Sequence, residues 1–336
     1  MGDKILHQIW YQGEGKIPTK LKNYKEGCKK MNSEYKQYIW DGEMIERFIE
    51  DNYPQYEELY KGFPLMIQKI DFAKYLILHF YGGVYVDMDV KCLKKVKKLI
   101  GLFAGKEMMV APAPKEIPFD FYNKMTKYIF KFDVTETDRY INNGIIIANK
   151  NHGFFLYLCD EIQRRFKDYK YGFVTKYITR DGYVWVSTGP AIFTKCLHQY
   201  RNKQKEGIEI IDEKYLEPCS EVSEQCDTTG SYFIHDHQRS WVGLGEGMVT
   251  LRRWYMVIKK NLFYFVVGLL TLILILCYYF HRFPKHLDIV IGWLTLKWIK
   301  MNKVKNGKIS KGISKLGKKI KLPIKIPLIN NKGKKK

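Results

Sequence analysis

The chain has 336 residues, 46% of them apolar and 27% charged, which is long and hydrophobic enough to bury a large core. Its net charge of +22 suggests a nucleic-acid binder until the chain is divided: residues 1–250 carry 36 Lys+Arg against 34 Asp+Glu, whereas residues 251–336 carry 21 against one acid, Asp288. A body this close to neutral excludes a nucleic-acid-binding domain, whose affinity comes from basic residues spread over the folded face.

In chain order, residues 5–10 read as a first buried strand, 18–31 as a helix, 38–40 as a strand and 43–60 as a second helix. A third helix covers 67–81 and closes at Gly82-Gly83, and strands follow at 84–90 and 144–148. This alternation predicts an α/β fold, a Rossmann-like, mostly parallel sheet flanked by helices, with ligands at the carboxyl ends of its strands. Seven cysteines without CxxC spacing point to neither a zinc ribbon nor a disulfide scaffold; their odd number favours free thiols and a reducing compartment. Residues 1–10 lack the apolar run of a signal peptide, and Leu6 stands where a myristoylation motif needs Ser or Thr.

Beyond residue 250 a basic linker, 251–260, leads into NLFYFVVGLLTLILILCYYF, residues 261–280, which holds no charge. About 20 such residues cross roughly 30 Å of hydrocarbon as a helix. Trp254, Tyr264, Tyr278 and Tyr279 suit interfacial positions. A C-terminal transmembrane helix is therefore predicted. Residues 281–336 then hold a short apolar stretch, 287–299, and 15 lysines between 297 and 336. Such a tail attracts anionic lipid headgroups at about 1 kcal/mol per lysine, and the positive-inside rule assigns it to the cytosol. Free thiols assign the body to the cytosol as well. To reconcile the two, 287–299 is expected to lie in the interface or to form the return leg of a hairpin.

The segment that carries chemistry is DFAKYLILHFYGGVYVDMD, residues 71–89. Asp71, Lys74 and Tyr75 occur at i, i+3 and i+4, which places them on one helix face where they can point together at a ligand. On the predicted strand Val84, Val86, Met88 and Val90 take one face and Tyr85, Asp87 and Asp89 the other, the two carboxylates roughly 6.6 Å apart along the chain. Two acids on the edge of an apolar strand are expensive to bury, and a hard divalent cation offsets that cost. An aspartyl-nucleophile phosphatase also sets Asp-x-Asp after an apolar strand, but it needs a hydroxyl residue two positions on, where Lys91 stands.

The whole run resembles the DXD block of the sugar transferases related to the yeast initiating α-1,6-mannosyltransferase and the inositol-phosphoceramide mannosyltransferases. It is more distantly similar to the glucosyltransferase domains of large clostridial toxins. KILHQIW at 4–10 followed by Pro18 resembles the family's opening block. Asn143-Gly144, Thr188-Gly189-Pro190 and the stretch from His235 to Trp241 resemble its later elements, in family order.

The resemblance implies a GT-A fold over residues 1–250 that moves a hexosyl group from a nucleotide-sugar to a hydroxyl with retention at the anomeric carbon. It implies that Trp10 contacts the nucleotide base, that Asp71 holds sugar hydroxyls, that Asp87 contacts the ribose and a metal-bound water, and that Asp89 binds Mn²⁺ or Mg²⁺. Asn143 would face the sugar or acceptor. Ser240 and Trp241 would close over the diphosphate, and His235 would complete the metal shell. Thr188-Gly189-Pro190 would only shape the pocket. Lys74 replaces the family's arginine, a point charge in place of a bidentate fork. The implied partners are the donor, a glycan, glycolipid or glycoprotein acceptor, and a membrane with anionic lipids, with no nucleic acid. The alternative is a membrane-tethered binding protein whose glycosyltransferase fold has lost donor binding.

Overall fold

The structure is a computed structural model that describes residues 4–115, 119–168, 180–204, 207–219, 226–236 and 261–282. Strand β1 (Ile5–Ile9) is buried along its whole length because it lies between two parallel neighbours. After α1 (Thr19–Met31) the chain returns through β2 (Lys36–Trp40), which pairs with β1 in parallel register, Ile9 opposite Trp40. Asp41 then caps α2 (Gly42–Asn52) by accepting from the Met44 N–H at 2.8 Å. The single helix expected over 43–60 is broken: Pro54 cannot continue α2, so a 3₁₀ turn, Pro54–Tyr56, intervenes before α3 (Glu57–Gly62).

Helix α4 (Met66–Tyr81) crosses the middle of the molecule, and every residue from 71 to 78 is buried. It turns into β3 (Gly83–Val86) through two glycines at positive φ, +64° at Gly82 and +95° at Gly83. A Cβ at Gly83 would stand 2.6 Å from the Ile5 carbonyl oxygen, so the close pairing of β3 on β1 requires glycine there. The strand expected to run from 84 to 90 ends at Val86. Residues 87–89 form a turn in which the Val90 N–H donates to the Asp87 carbonyl at 3.2 Å, and β4 (Val90–Cys92) leaves for a second sheet.

The remaining elements are α5 (Val96–Leu102), β5 (Met108–Val110), α6 (Phe119–Phe130), β6 (Ile145–Ala148), α7 (Phe154–Phe166), α8 (Arg180–Ser187), α9 (Pro190–Gln204), β7 (Ile208–Ile210), the short α10 (Glu213–Leu216), β8 (Phe233–His235) and α11 (Leu262–Arg282). Six strands form the main sheet in the order β2-β1-β3-β6-β5-β7, all parallel except β6, which runs antiparallel to both neighbours. β4 and β8 pair antiparallel in a two-stranded sheet, with Val90 opposite His235. Side-chain alternation divides the core. Ile9, Tyr85 and Ile146 pack with residues of α2, α4, α7 and α9, while Leu6, Val84, Val86, Ile145 and Ile147 pack with residues of α5 and β8.

Four cysteines that were expected to be free thiols are paired. Cys28 of α1 bonds Cys92 of β4, across a Cα separation of 4.9 Å set by the packing of that helix on that strand, and Cys219 bonds Cys226. Cys159, Cys196 and Cys277 are free. A sequence separation of 64 residues gives no local sign of the first pair.

The chain divides into two compact units, residues 1–256 and 257–336. In the second, α11 is helical over 21 residues, and its described side chains, at 266 and 268–279, are exposed. Those described side chains alone make no stretch long and apolar enough to cross a membrane, and the other described residues hold none. The basic linker 251–260, the apolar stretch 287–299 and the lysine tail lie outside the described residues.

Candidate active site

β3 delivers its last residues to the carboxyl end of the sheet, and the turn that follows presents both carboxylates of the Asp-x-Asp motif. The Asp87 N–H donates to the Gly144 carbonyl at 2.8 Å, tying the turn to the start of β6. Tyr85, on the same strand face, donates its hydroxyl to Asp87 Oδ1 at 2.7 Å. Asp89 is bound on its other side by β8: its carbonyl accepts from the Asp236 N–H at 2.9 Å. β8 thereby sets His235 against the motif, with Nε2 3.1 Å from Asp89 Oδ1 and Nδ1 3.3 Å from Glu217 Oε1. Burial alone would lower the imidazole pKa, but the carboxylates of Asp89 and Glu217 hold it well above its ordinary value. Asp87 is shifted up, chiefly by burial, with Lys74 opposing and Asp89 adding to the rise.

α4 forms the second wall. Asp71 and Lys74 share one face as expected but engage each other: Lys74 Nζ lies 2.7 Å from Asp71 Oδ1, with 2% of the lysine side chain exposed. The ammonium also sits over the Tyr85 and Tyr75 rings, 5.2 and 5.7 Å from their centroids. Burial pushes the Asp71 carboxyl up against the pull of Lys74, Thr188 and Asn143. Tyr75 lies behind the cavity wall. It donates to the Thr188 carbonyl at 2.8 Å and accepts from Asn143 Nδ2 at 2.8 Å. Asn143 Nδ2 is also 3.3 Å from Asp71 Oδ1, and the Thr188 hydroxyl donates to Asp71 Oδ2 at 3.2 Å. Thr188, expected only to shape the pocket, thus holds the carboxylate from the side opposite Lys74.

These groups line a cavity of about 340 Å³, with Trp10, Asp71, Lys74, Tyr85, Asp87, Asp89, Asn143, Glu217 and His235 on its wall. That is the size of a small-molecule site. Trp10, one residue beyond β1, has a buried indole Nε1 with no hydrogen-bond partner among the described residues. Leu21 of α1 and Trp185 of α8 complete apolar parts of the lining. Ser240, Trp241 and His237 lie outside the described residues. The residues missed in the sequence are Asn142, which accepts from the Gly144 N–H at 2.6 Å, and Glu217. Asn142 adjoins the Asn143-Gly144 motif and was within reach; Glu217 follows a four-residue helix and has no local signature.

A cation fits this site. Ligand atoms of Asp87, Asp89 and His235 all lie within 4.8 Å of one another. The floor is shaped for them, because a Cβ at Gly144 would stand 2.7 Å from Asp87 Oδ2 and 3.2 Å from His235 Cε1. Two carboxylates and an imidazole are a donor set suited to a hard or borderline divalent ion.

Carboxylates on a turn at the end of a central strand, an imidazole facing them from a second sheet, and a mostly parallel α/β scaffold fit a glycosyltransferase of the GT-A class. The model for a glycosyltransferase sugar-binding region containing a DXD motif matches residues 18–103. An uncharacterized glycosyltransferase of Acanthamoeba polyphaga mimivirus is 32% identical over 245 residues, 70% of this chain and 82% of the viral one. Inositol phosphoceramide mannosyltransferase 2 of Schizosaccharomyces pombe is 24% identical over 85% of this chain and 69% of its own. Among solved structures, mouse xyloside xylosyltransferase 1 covers 71% of this chain and 99% of its own at 12% identity, with a TM-score of 0.43, too distant to carry an argument. The chain belongs to the DXD-motif glycosyltransferase family, and it is a glycosyltransferase.

Proposed function

We propose that this enzyme transfers a hexosyl group from a nucleotide-sugar to a hydroxyl of a glycan, glycolipid or glycoprotein acceptor, with retention and with dependence on Mn²⁺ or Mg²⁺. One observation carries the reading: Asp87, Asp89 and His235 converge on a cavity whose opposite wall holds the buried Asp71–Lys74 pair. The metal, when bound by those three residues, neutralises charge on the departing diphosphate. The chain's own groups do the rest. Trp10 offers its indole N–H to the nucleobase, Asp71 accepts from sugar hydroxyls, and Asn143 donates its amide beside it. Lys74 neutralises the Asp71 carboxylate and holds it in place. Retaining chemistry allows the leaving diphosphate to accept the acceptor's proton, so no separate side chain is assigned as base.

We also propose that α11 anchors the protein in a membrane. Its residues 262–280 carry no charge and extend about 28 Å, close to the thickness of a bilayer's hydrocarbon core. The paired cysteines remove the premise that placed the body in a reducing compartment and favour an oxidising one. A single span then places the lysine tail in the cytosol against anionic headgroups, as the positive-inside rule requires, and no hairpin is needed.

The catalytic reading is tested with purified protein, a panel of nucleotide-sugars and Mn²⁺, comparing wild type with Asp89→Asn. Transfer or donor hydrolysis by the wild type, lost by at least about 100-fold in the variant with its unfolding midpoint unchanged, is the expected result. Turnover that persists in Asp89→Asn or ignores chelation overturns the metal role. Protease access to body and tail on sealed vesicles tests the topology; both on one side would refute the single span.

A further inference from the structure

Two hydrogen-bonding groups compete for the inner nitrogen of His235. Glu217 Oε1 lies 3.3 Å from Nδ1, and Asn142 Nδ2 lies 3.5 Å from the same atom. They impose opposite tautomers on a neutral ring. An amide NH₂ needs Nδ1 as acceptor, which puts the proton on Nε2 and leaves no lone pair toward Asp89. A carboxylate needs Nδ1–H as donor, which leaves the Nε2 lone pair facing the cavity. The carboxylate contact is the closer and the charged one, and it is shielded, with 2% of the Glu217 side chain exposed.

Glu217 is also held where a positioning group has to be. It caps α10, its N–H donating to the Glu213 carbonyl at 2.7 Å. α10 is tied to the segment entering β8 by the Tyr232 N–H donating to the Tyr215 carbonyl at 2.9 Å. That segment is tied to the end of β4 by the Leu93 N–H donating to the Tyr232 carbonyl at 2.8 Å. Glutamate, imidazole and Asp89 therefore sit on three elements locked by backbone hydrogen bonds.

We propose that Glu217 is a positioning residue of the cation site: its carboxylate fixes the His235 ring so that Nε2, and not Nδ1, is presented beside Asp89 and Asp87. This rests on the metal-dependent reading above. Loss of such an outer carboxylate weakens metal binding by roughly 10- to 100-fold.

A double-mutant cycle on Mn²⁺ affinity, read from the electron paramagnetic resonance signal of free Mn²⁺ with no substrate present, separates the possibilities. The full chain is compared as wild type, Glu217→Leu, His235→Ala and the double variant, each checked by thermal unfolding. The expected result is a loss of roughly 10- to 100-fold for Glu217→Leu that disappears in the His235→Ala background, because the glutamate acts through the ring. Equal losses in both backgrounds overturn the proposal, since Glu217 would then bind the ion itself or act on the fold. Unchanged affinity in Glu217→Leu while His235→Ala weakens binding also overturns it and leaves the metal reading intact. Mn²⁺ affinity indifferent to His235→Ala overturns both. Should a variant fail to fold, Glu217→Gln supplies the second measurement: its amide oxygen can still accept from Nδ1–H, so affinity should fall by less than in any variant lacking an acceptor. A loss as large as that of removing His235 refutes the positioning role.

Discussion

Gly144→Ala places one methyl group against Asp87 and His235, two of the proposed cation ligands, and against Asn142 Oδ1 at 3.1 Å. The added Cβ would stand 2.7 Å from Asp87 Oδ2, where ordinary contact begins at 3.4 Å, so the carboxylate must retreat by roughly 0.7 Å. It cannot do so freely, because Oδ1 is held by the Tyr85 hydroxyl at 2.7 Å and rotation breaks that bond. Gly144 is not among the glycines with positive φ, so alanine accepts the backbone and even reduces the entropy of the unfolded chain. The cost to stability is therefore about 1–2 kcal/mol from the weakened Tyr85–Asp87 bond, less a few tenths regained. The cost to catalysis is larger: a displacement approaching 1 Å at a reacting site costs on the order of 30- to 100-fold, or about 2–3 kcal/mol of transition-state stabilisation. Steady-state kcat/KM at saturating Mn²⁺, with the urea midpoint measured on the same samples, reads both. Tyr85→Phe frees Asp87 to swing aside, so the double variant should lose less than the sum of the two single losses. If kcat/KM of Gly144→Ala stays within about threefold of wild type, the turn does not need its carboxylate where the structure puts it, and the reasoning fails.

Two further outcomes follow from buried charge. His7 is enclosed in the sheet, with Nε2 donating to the Gly82 carbonyl at 3.0 Å and Nδ1 accepting from Trp40 Nε1 at 3.1 Å, and burial lowers its pKa to about 4. Its folded-state pKa lies below the unfolded value, so its contribution is complete above pH 6.5 and is lost as pH falls from 6.5 toward 4, by about 3 kcal/mol in all. Urea unfolding across that window should show a slope lower by about one proton in His7→Phe than in wild type; identical slopes would remove His7 from the account. Lys74→Ala leaves the Asp71 carboxylate buried without its cation and should destabilise the body by about 3–5 kcal/mol, measured by the urea midpoint. Pairing Lys74→Met with Asp71→Asn should restore most of that stability but no activity, which an unpaired structural role for either residue does not predict.

Much of the scaffold was legible because local signals agreed with the fold. The apolar run at β1, the Gly82-Gly83 stop after α4 and the capping Asp41 all act within a few residues. Pro54 carried the break in the 43–60 helix in plain view. The end of β3 was hidden for another reason: an Asp-Met-Asp stretch between valines has strand periodicity, and only the pairing of β4 with a strand at 233–235 pulls it into a turn. β5, β7 and β8 have three residues each, too few for any period to register. The reversed direction of β6 leaves no trace in its composition, since a strand buried on both faces reads the same either way.

The site shows the same division. Asp71 and Lys74 were placed on one helix face by spacing alone, but spacing does not say whether two such residues reach outward or toward each other. Burial decides: with 7% of the Asp71 side chain and 2% of the Lys74 side chain exposed, each is the other's principal counter-charge. The net charge of the protein is no guide here either. A chain of +22 holds a cavity ringed by Asp71, Asp87, Asp89 and Glu217, against which the described lining sets one lysine, Lys74, and no arginine. Asp71 and Asp87 are both shifted toward protonation, chiefly by burial, and Asp89 adds repulsion at Asp87. A nucleoside diphosphate is repelled by such a wall. Asp87 and Asp89 are therefore placed as they would be to hold a divalent cation, which on the proposed reading would bring into the cavity the positive charge that a nucleotide-sugar donor needs.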